Sequence, residues 1–521
     1  MFHRLRLLST FFLVLLCFVV WTQRGWAGGA KMSGTTGMKG TAKSHATGSG
    51  TPPSTWIETF SIQQLDAAPI SFTAGYWRDP WGRWANGPLY YNNAVYFSYQ
   101  KSCTTTPLAP PGTPSDVVAV KYDYLSGVWS QGVIGRTICG VSHELVTNLY
   151  MFPDTYSDST LRRKFIQFWA VFPADDVPAV GCTNGNYCIR YKISTNPEDI
   201  TSWGTIQYAH AVTTDAKIDF LPEGEGGFDS LGTLHVIGQG HGIGYMQMTS
   251  VSGALKFTYV ELIDSTAGNL SNSPGCSLGA HLFPDDTMMV TWSPEGGACV
   301  SDPLTYDSTT RSLYFAKSTD HGATWFSADG SASFTRTSGF AQGTTAYRVA
   351  TDDGNRFRNG QAITKLSGGT PLILASRDTT NLGHAVIYKW SSGNTWTAVV
   401  AGSPPTNELA AFGRTLTWID DTTIFAHWEV YDYTANTNTL YEYKITSCAT
   451  TCVFNSPLTL QIRPLGTTVM DQLRVSRVTV SGQTDRMLIN WAAYNSGTPT
   501  PHQLYFLDRK IADAQAGTPP P

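Results

Sequence analysis

One pattern recurs along the chain and constrains its fold more than any other feature. Each unit reads as an alternating apolar run, a Gly/Asp turn, a second run, a Tyr-rich run, and then a large aromatic residue. The closing aromatics are Trp129, Trp203, Phe257, Trp325, Trp396 and Phe454, separated by 74, 54, 68, 71 and 58 residues. A unit of that length holds four short antiparallel strands and variable loops, the content of one propeller blade. An immunoglobulin-like array would need units nearer about 100 residues. Beyond the sixth unit, QLRVSRVTV, RMLINWAAY and HQLYFLDRK supply three more strands. The N-terminal run TWIETFSI around Trp56 can supply the fourth. Pairing of the two chain ends would then close the ring and remove an exposed sheet edge. The expectation is an all-β, seven-bladed β-propeller of four-stranded antiparallel blades, with six or eight blades left open by the long middle of the second unit, residues 150–180.

Composition agrees with that reading and removes others. Only 14% of the 521 residues are charged, against about 25% in an average globular chain, so long solvated helices and coiled coils are excluded. A hydrophobic content of 41% is enough for a core and excludes disorder of the whole chain. A net charge of -4 is too small and of the wrong sign for nucleic-acid binding. Arg4 and Arg6 precede the apolar run 7–21, and Gly25-Trp26-Ala27 offers small residues at a signal-peptidase site. Residues 1–27 therefore read as an export leader, since the apolar run falls short of the ~20 residues of a membrane span. Residues 28–54 read as a flexible linker, 55–512 as the propeller and 513–521 as a disordered tail. The mature protein is expected to be exported, extracellular or periplasmic, monomeric, and without stable membrane insertion.

Eight cysteines remain beyond the leader: Cys103, Cys139, Cys182, Cys188, Cys276, Cys299, Cys448 and Cys452. An even count in an oxidising compartment points to disulfides. The short spacings 182/188 and 448/452 read as local staples, with 103/139 and 276/299 following. Neither short pair has a CxxC spacing or a histidine at ligand distance, so disulfides are favoured over zinc and no cofactor is expected.

The octapeptide STDHGATW, containing Ser318, Asp320, Gly322 and Trp325, fits the pattern S-x-D-x-G-x-T-W in full. It resembles the Asp-box of sialidases and other BNR-repeat propellers. The resemblance implies a structural role: Ser and Asp close a hairpin turn, Gly takes positive φ, and Trp packs between sheets. IRYKISTNPEDITSW and LYFAKSTDHGATWFSADGS are similar to sequences in the BNR-repeat group that includes propeller polysaccharide lyases of the ulvan-lyase type. GVSHELVTNLYMF lies where that group carries a histidine at the start of an inner strand.

The inner strands of a propeller and their entry loops line its centre, so polar residues at blade starts are the candidates for chemistry. They are His143 and Glu144, Glu223 and Glu225, His281, Arg356 and Arg358, Arg414, and Arg474 and Arg477. Arginines on three successive blades can converge on one carboxylate, which guanidinium recognises through planar, permanently charged donors. Arg358, Arg414, Arg474 and Glu225 are thus read as substrate-binding. A uronate lyase also needs a base and an acid, and His143, His241 and Tyr245 are the candidates. His241 and Tyr245 are four residues apart and share a strand face. The resembling lyases carry an arginine just after this tyrosine, whereas Met246-Gln247-Met248 follows here. The reading is a carbohydrate-active propeller acting on a uronate- or sialate-containing polysaccharide, with lyase chemistry favoured. A sialidase-like hydrolase and a non-catalytic glycan-binding propeller are the alternatives.

Overall fold

The computed structural model describes residues 63–66, 87–101, 113–139, 147–171, 188–212, 217–218, 226–239, 243–251, 253–263, 278–293, 312–338, 345–350, 356–379, 382–400, 408–432, 437–464, 469–478, 485–494 and 503–520. They form seven antiparallel sheets, each built on four strands. Blades 1 to 6 span residues 89–139, 147–208, 226–263, 278–350, 356–400 and 408–464. Blade 7 combines Val469–Val478, Arg486–Tyr494 and Gln503–Lys510 with the N-terminal strand Gln63–Asp66. The propeller is therefore seven-bladed and closed by pairing of its two ends, with Gln63 opposite Phe506. The closing strand lies just beyond TWIETFSI, which falls outside the described residues. The segment 150–180 contributes the first two strands of blade 2 and no extra blade.

Each aromatic marker belongs to a different blade. Trp129, Phe257, Trp325, Trp396 and Phe454 stand on the fourth strands of blades 1, 3, 4, 5 and 6. Trp203 is bridged to Ser194 in blade 2. A blade lies between two neighbours, so its middle strands are buried on both faces and read as continuous apolar runs. Met288–Trp292 (MMVTW) is buried at every position. Seven hydrophobic clusters result, one at each blade-to-blade interface, including the 7-to-1 junction where Val478, Leu488 and Phe506 meet Val95 and Tyr122. Burial between blades is what excludes charge from most of the chain.

The turns are equally local in origin. In blade 1 the hairpin Tyr91 to Ala94 places Asn92 and Asn93 at φ 46° and 59°, the two positive angles of a type I′ turn that asparagine tolerates. On the hairpin side joining first to second strands, neighbouring blades are latched through carboxylates. Ser230 N donates to Asp286 of the next blade at 2.8 Å, and Ser367 N donates to Asp421 at 2.7 Å.

Two expectations meet described residues near the chain end. The tail from Asp513 is not disordered at its start: Ile511–Ala516 is a short helix. Ile511 and Ala514, one turn apart, sink into the interface of blades 6 and 7. Gly517 ends the helix at φ 71°, and Lys444 Nζ donates to Gln515 O at 2.8 Å. Cys448 and Cys452 form a disulfide, and Cys188 is disulfide-bonded as well. Cys103, Cys182, Cys276 and Cys299 lie outside the described residues, as does the leader. Among the described residues no helix is long and apolar enough to cross a membrane.

Candidate functional site

From blade 3 to blade 7 the first strands of successive blades pack against one another, and the first strands of the ring fall into two groups. In blades 1 to 4 the first strands Leu89–Tyr91, Thr147–Met151, Gly226–Phe228 and Leu278–Leu282 are three to five residues long and pair in unbroken register. In blades 5 to 7 the first strands Arg356–Lys365, Glu408–Asp420 and Val469–Val478 run for 10, 13 and 10 residues. Each of these breaks register early in its length, between Arg358 and Ala362, between Ala410 and Arg414, and between Asp471 and Arg474, and Glu408–Asp420 breaks again near its end, between Trp418 and Asp420. The three early breaks are the ones that recur from blade to blade. A bulge of this kind re-aims neighbouring side chains and concentrates at functional sites. An arginine flanks every one of the three: Arg358 before the break, Arg414 and Arg474 after it.

A buried polar layer supports this wall. Arg474 is 5% exposed, and its Nη1 donates to Leu473 O at 2.8 Å. Beside Arg414, Thr415 Oγ1 lies 3.3 Å from His427 Nδ1. His427 Nε2 lies 3.2 Å from Glu442 Oε2, and Arg509 Nη2 donates to Glu442 Oε1 at 2.9 Å. Burial by itself raises the Glu442 carboxyl, but His427 and Arg509 outweigh it and hold the group below its ordinary value. Glu429 is also fully buried, two residues from His427 on the same strand. Sequence reading missed this pair. The signal was present, because TIFAHWEVYD places His427 and Glu429 on one strand face while Ile424, Ala426, Trp428 and Val430 take the other.

The remaining candidates lie elsewhere. Arg477 joins blades structurally, with Nη1 donating to Ile419 O at 2.9 Å and Nη2 to Asp485 at 2.5 Å. His281 is buried on the first strand of blade 4, edge-on to Phe283 at 4.3 Å. Arg358 and Arg414 are placed by their backbone. His143, Glu144, Glu223, Glu225 and His241 lie outside the described residues; by sequence the first four lead into the first strands of blades 2 and 3.

Tyr245 is placed in full, and its surroundings differ from those expected of a catalytic group. It is 0% exposed in the wall between blades 3 and 4. Its hydroxyl lies 2.6 Å from His235 Nδ1 and accepts from Gln247 Nε2 at 3.0 Å. His235 Nε2 and His321 Nδ1 both meet Asp229 Oδ2, at 2.9 and 2.8 Å. Burial raises the Asp229 carboxyl, yet His235, the Thr233 amide and His321 together hold it below its ordinary value. Burial pushes the Tyr245 phenol well up. This cluster lies at the turn from first to second strand, the opposite end of blade 3 from the Gln239–Ile243 pair that flanks His241. Tyr245, read from the sequence as catalytic, is thus an enclosed hydroxyl bonded within the wall beside a neighbouring turn.

That neighbouring turn is the STDHGATW segment. Asp320 Oδ1 accepts from Ser318 Oγ at 2.8 Å and from Thr324 N at 2.9 Å, while Gly322 N donates to Ser318 Oγ at 3.0 Å. Gly322 has φ 77°, and a Cβ there would stand 2.0 Å from the Tyr245 hydroxyl. Trp325 is 0% exposed and meets the Tyr245 ring edge-on at 6.1 Å.

Among the described residues no group of three or more His, Cys, Asp or Glu could hold a metal ion. No protein-family model and no curated protein matches the sequence, so the BNR and Asp-box resemblance rests on the motif alone. Solved structures do match in fold. The polysaccharide lyase PL25-Ulvanlyase, bound to GlcA(1-4)Rha3S, aligns with TM-score 0.55 and 13% identity over 89% of this chain and 99% of that one. The polysaccharide lyase Uly1 aligns with TM-score 0.52 and 11% identity over 87% and 100%. At these identities the likeness is one of fold.

Proposed function

We propose that the chain is an exported carbohydrate-active enzyme that binds an acidic polysaccharide where the inner strands of blades 5 to 7 begin, and cleaves it by β-elimination. The observation that carries this reading is the recurrence of an arginine beside a register break on three successive inner strands. Arg358 and Arg414 pair with a uronate carboxylate and so acidify the proton on the adjacent carbon. Arg474, enclosed in the wall, is a positioning residue behind them. His143 or His241 takes that proton as base. The electron pair left on carbon forms a C=C bond as the glycosidic C–O bond breaks, and the other histidine returns a proton to the departing oxygen. Glu225 holds sugar hydroxyls. Atoms balance without any cofactor. The fold shared with two polysaccharide lyases, one of them bound to a glucuronate-containing oligosaccharide, supports the choice of substrate class.

The test is incubation of the purified protein with a panel of uronate polymers and sialosides. Elimination creates an unsaturated uronate absorbing near about 235 nm, the product that proton abstraction beside the carboxylate requires. Release of sialic acid or of saturated sugar ends would overturn elimination in favour of hydrolysis. Retention of a polymer with no product would make the propeller a binding module.

A further inference from the structure

The outer rim between blades 2 and 3 carries a groove that none of this chemistry uses. It encloses about 500 Å³ and is lined by Tyr191, Gln207, Leu255 and Phe257, with exposed His210, Val212 and Lys256 at its edges. Its walls come from two blades stitched together. After the outer strand Gln207–Tyr208 of blade 2, the chain crosses over so that Ala211 bridges in parallel to Phe257. There Val212 N donates to Phe257 O at 2.9 Å.

Among the described residues the charge around this groove is positive. Arg190 donates through Nε and Nη2 to the Tyr208 hydroxyl at 3.1 and 2.9 Å, and Lys217 Nζ lies 3.9 Å from the centre of the same ring. Arg190 and Lys217 thus stand on Tyr208, which lines the groove, while Lys256 lines it directly; among the described lining residues none is a carboxylate. Desolvation and then the charge of Arg190 hold Lys217 below its ordinary value, as expected where cations crowd one another.

We infer that this groove is a second, non-catalytic site for an anionic polysaccharide. A carboxylate or sulfate of the chain sits against Lys217 and Lys256, Val212 and Leu255 take up a C–H face of the sugar, and Gln207 and His210 bond its hydroxyls. The substrate class rests on the function proposed above; the site does not. Tethering the polymer at the rim raises its effective concentration at the inner strands.

Affinity electrophoresis through gels containing polygalacturonate, dextran sulfate, neutral dextran or polyglutamate tests the inference. Wild-type protein is retarded by polygalacturonate or dextran sulfate and not by dextran, and the responding polymer tells carboxylate from sulfate. K217E/K256E should bind about tenfold more weakly, the scale of two surface ion pairs lost and reversed. Single K256E, at an exposed position that cannot disturb the fold, should show part of that loss. Equal retardation of wild type and both variants overturns the rim site. If R358A/R414A abolishes that retardation, the proposed function still stands. Equal retardation by polyglutamate overturns the sugar assignment. A wild-type protein that neither sugar polyanion retards overturns both proposals.

Discussion

Blades 5 to 7 and blades 1 to 4 solve the same packing problem with different inner strands. In the first group the inner strand is long, breaks register early in its length and carries an arginine at that break. In the second it is short and regular as far as it is described. Buried charge follows the same division. Glu442, Arg509, His427, Arg474, Arg486 and Asp508 are all buried in blades 6 and 7, whereas the interface of blades 3 and 4 buries Asp229 and His235 beneath a turn. Regular blades need only apolar contact and a few turn carboxylates to hold together. Keeping ionic groups inside costs desolvation that apolar residues would avoid, so their concentration in blades 6 and 7 sets that part of the ring apart from the blades held by apolar contact.

The sharpest way to break that comparison is to remove a buried ion. Glu442→Leu leaves Arg509 and His427 enclosed without their carboxylate and should cost about 4 kcal/mol, read as a lower denaturant midpoint at unchanged slope. Next in size is Arg414→Ala. On the proposed mechanism, loss of the guanidinium that pairs with the uronate should reduce kcat/KM on the responding polymer by about 100-fold, or roughly 3 kcal/mol, with little change in the unfolding midpoint. If R414A unfolds the protein instead, blades 5 to 7 are ionic for stability and the contrast loses its functional meaning.

How legible these regions were depends on which forces set them. The ring was readable because a blade must end in an aromatic that packs on its neighbour, and Trp129, Phe257, Trp325, Trp396 and Phe454 mark those ends. Arg358, Arg414 and Arg474 were readable as inner-strand residues because they precede strongly apolar second strands. The register breaks beside them were not, since a bulge shows only when two strands are paired. Tyr245 misled for a related reason. Alternation along IGYMQM places Tyr245 on a strand, but carries no sign of the direction its ring takes toward the turn of the next blade. The helix Ile511–Ala516 was hidden because two apolar positions in a polar tail carry no period.

On the other side of the comparison, Gly322→Ala tests the turn of blade 4. A Cβ would collide with the Tyr245 hydroxyl, and the residue must hold φ 77°, so stability should fall by about 2 kcal/mol. Tyr245→Phe removes the hydroxyl and leaves His235 Nδ1 enclosed without it, a cost of about 1 kcal/mol. Turnover at saturating substrate should be unchanged in Y245F. A loss of kcat without a loss of stability would return Tyr245 to the chemistry and erase the division between the two halves of the ring.

Acid should act on both halves through carboxylates that folding holds in their charged form. Asp229 and Glu442 each have a folded pKa below the unfolded value, which is about 3.9 for Asp and 4.3 for Glu. The unfolded chain therefore binds the proton first as pH falls. The stability these groups contribute is whole above the unfolded values, declines as pH drops through the folded ones, and is gone below both. Unfolding midpoints measured from pH 6 down to about pH 3 should accordingly decline, and Asp229→Asn should flatten part of that decline by removing one titrating group. Because His235, the Thr233 amide and His321 all contact Asp229, the flattening should appear in unfolding curves and not in the pH profile of kcat. A kcat profile that shifts in D229N would connect the turn of blades 3 and 4 to the inner strands of blades 5 to 7, and the two regions could no longer be treated as separate.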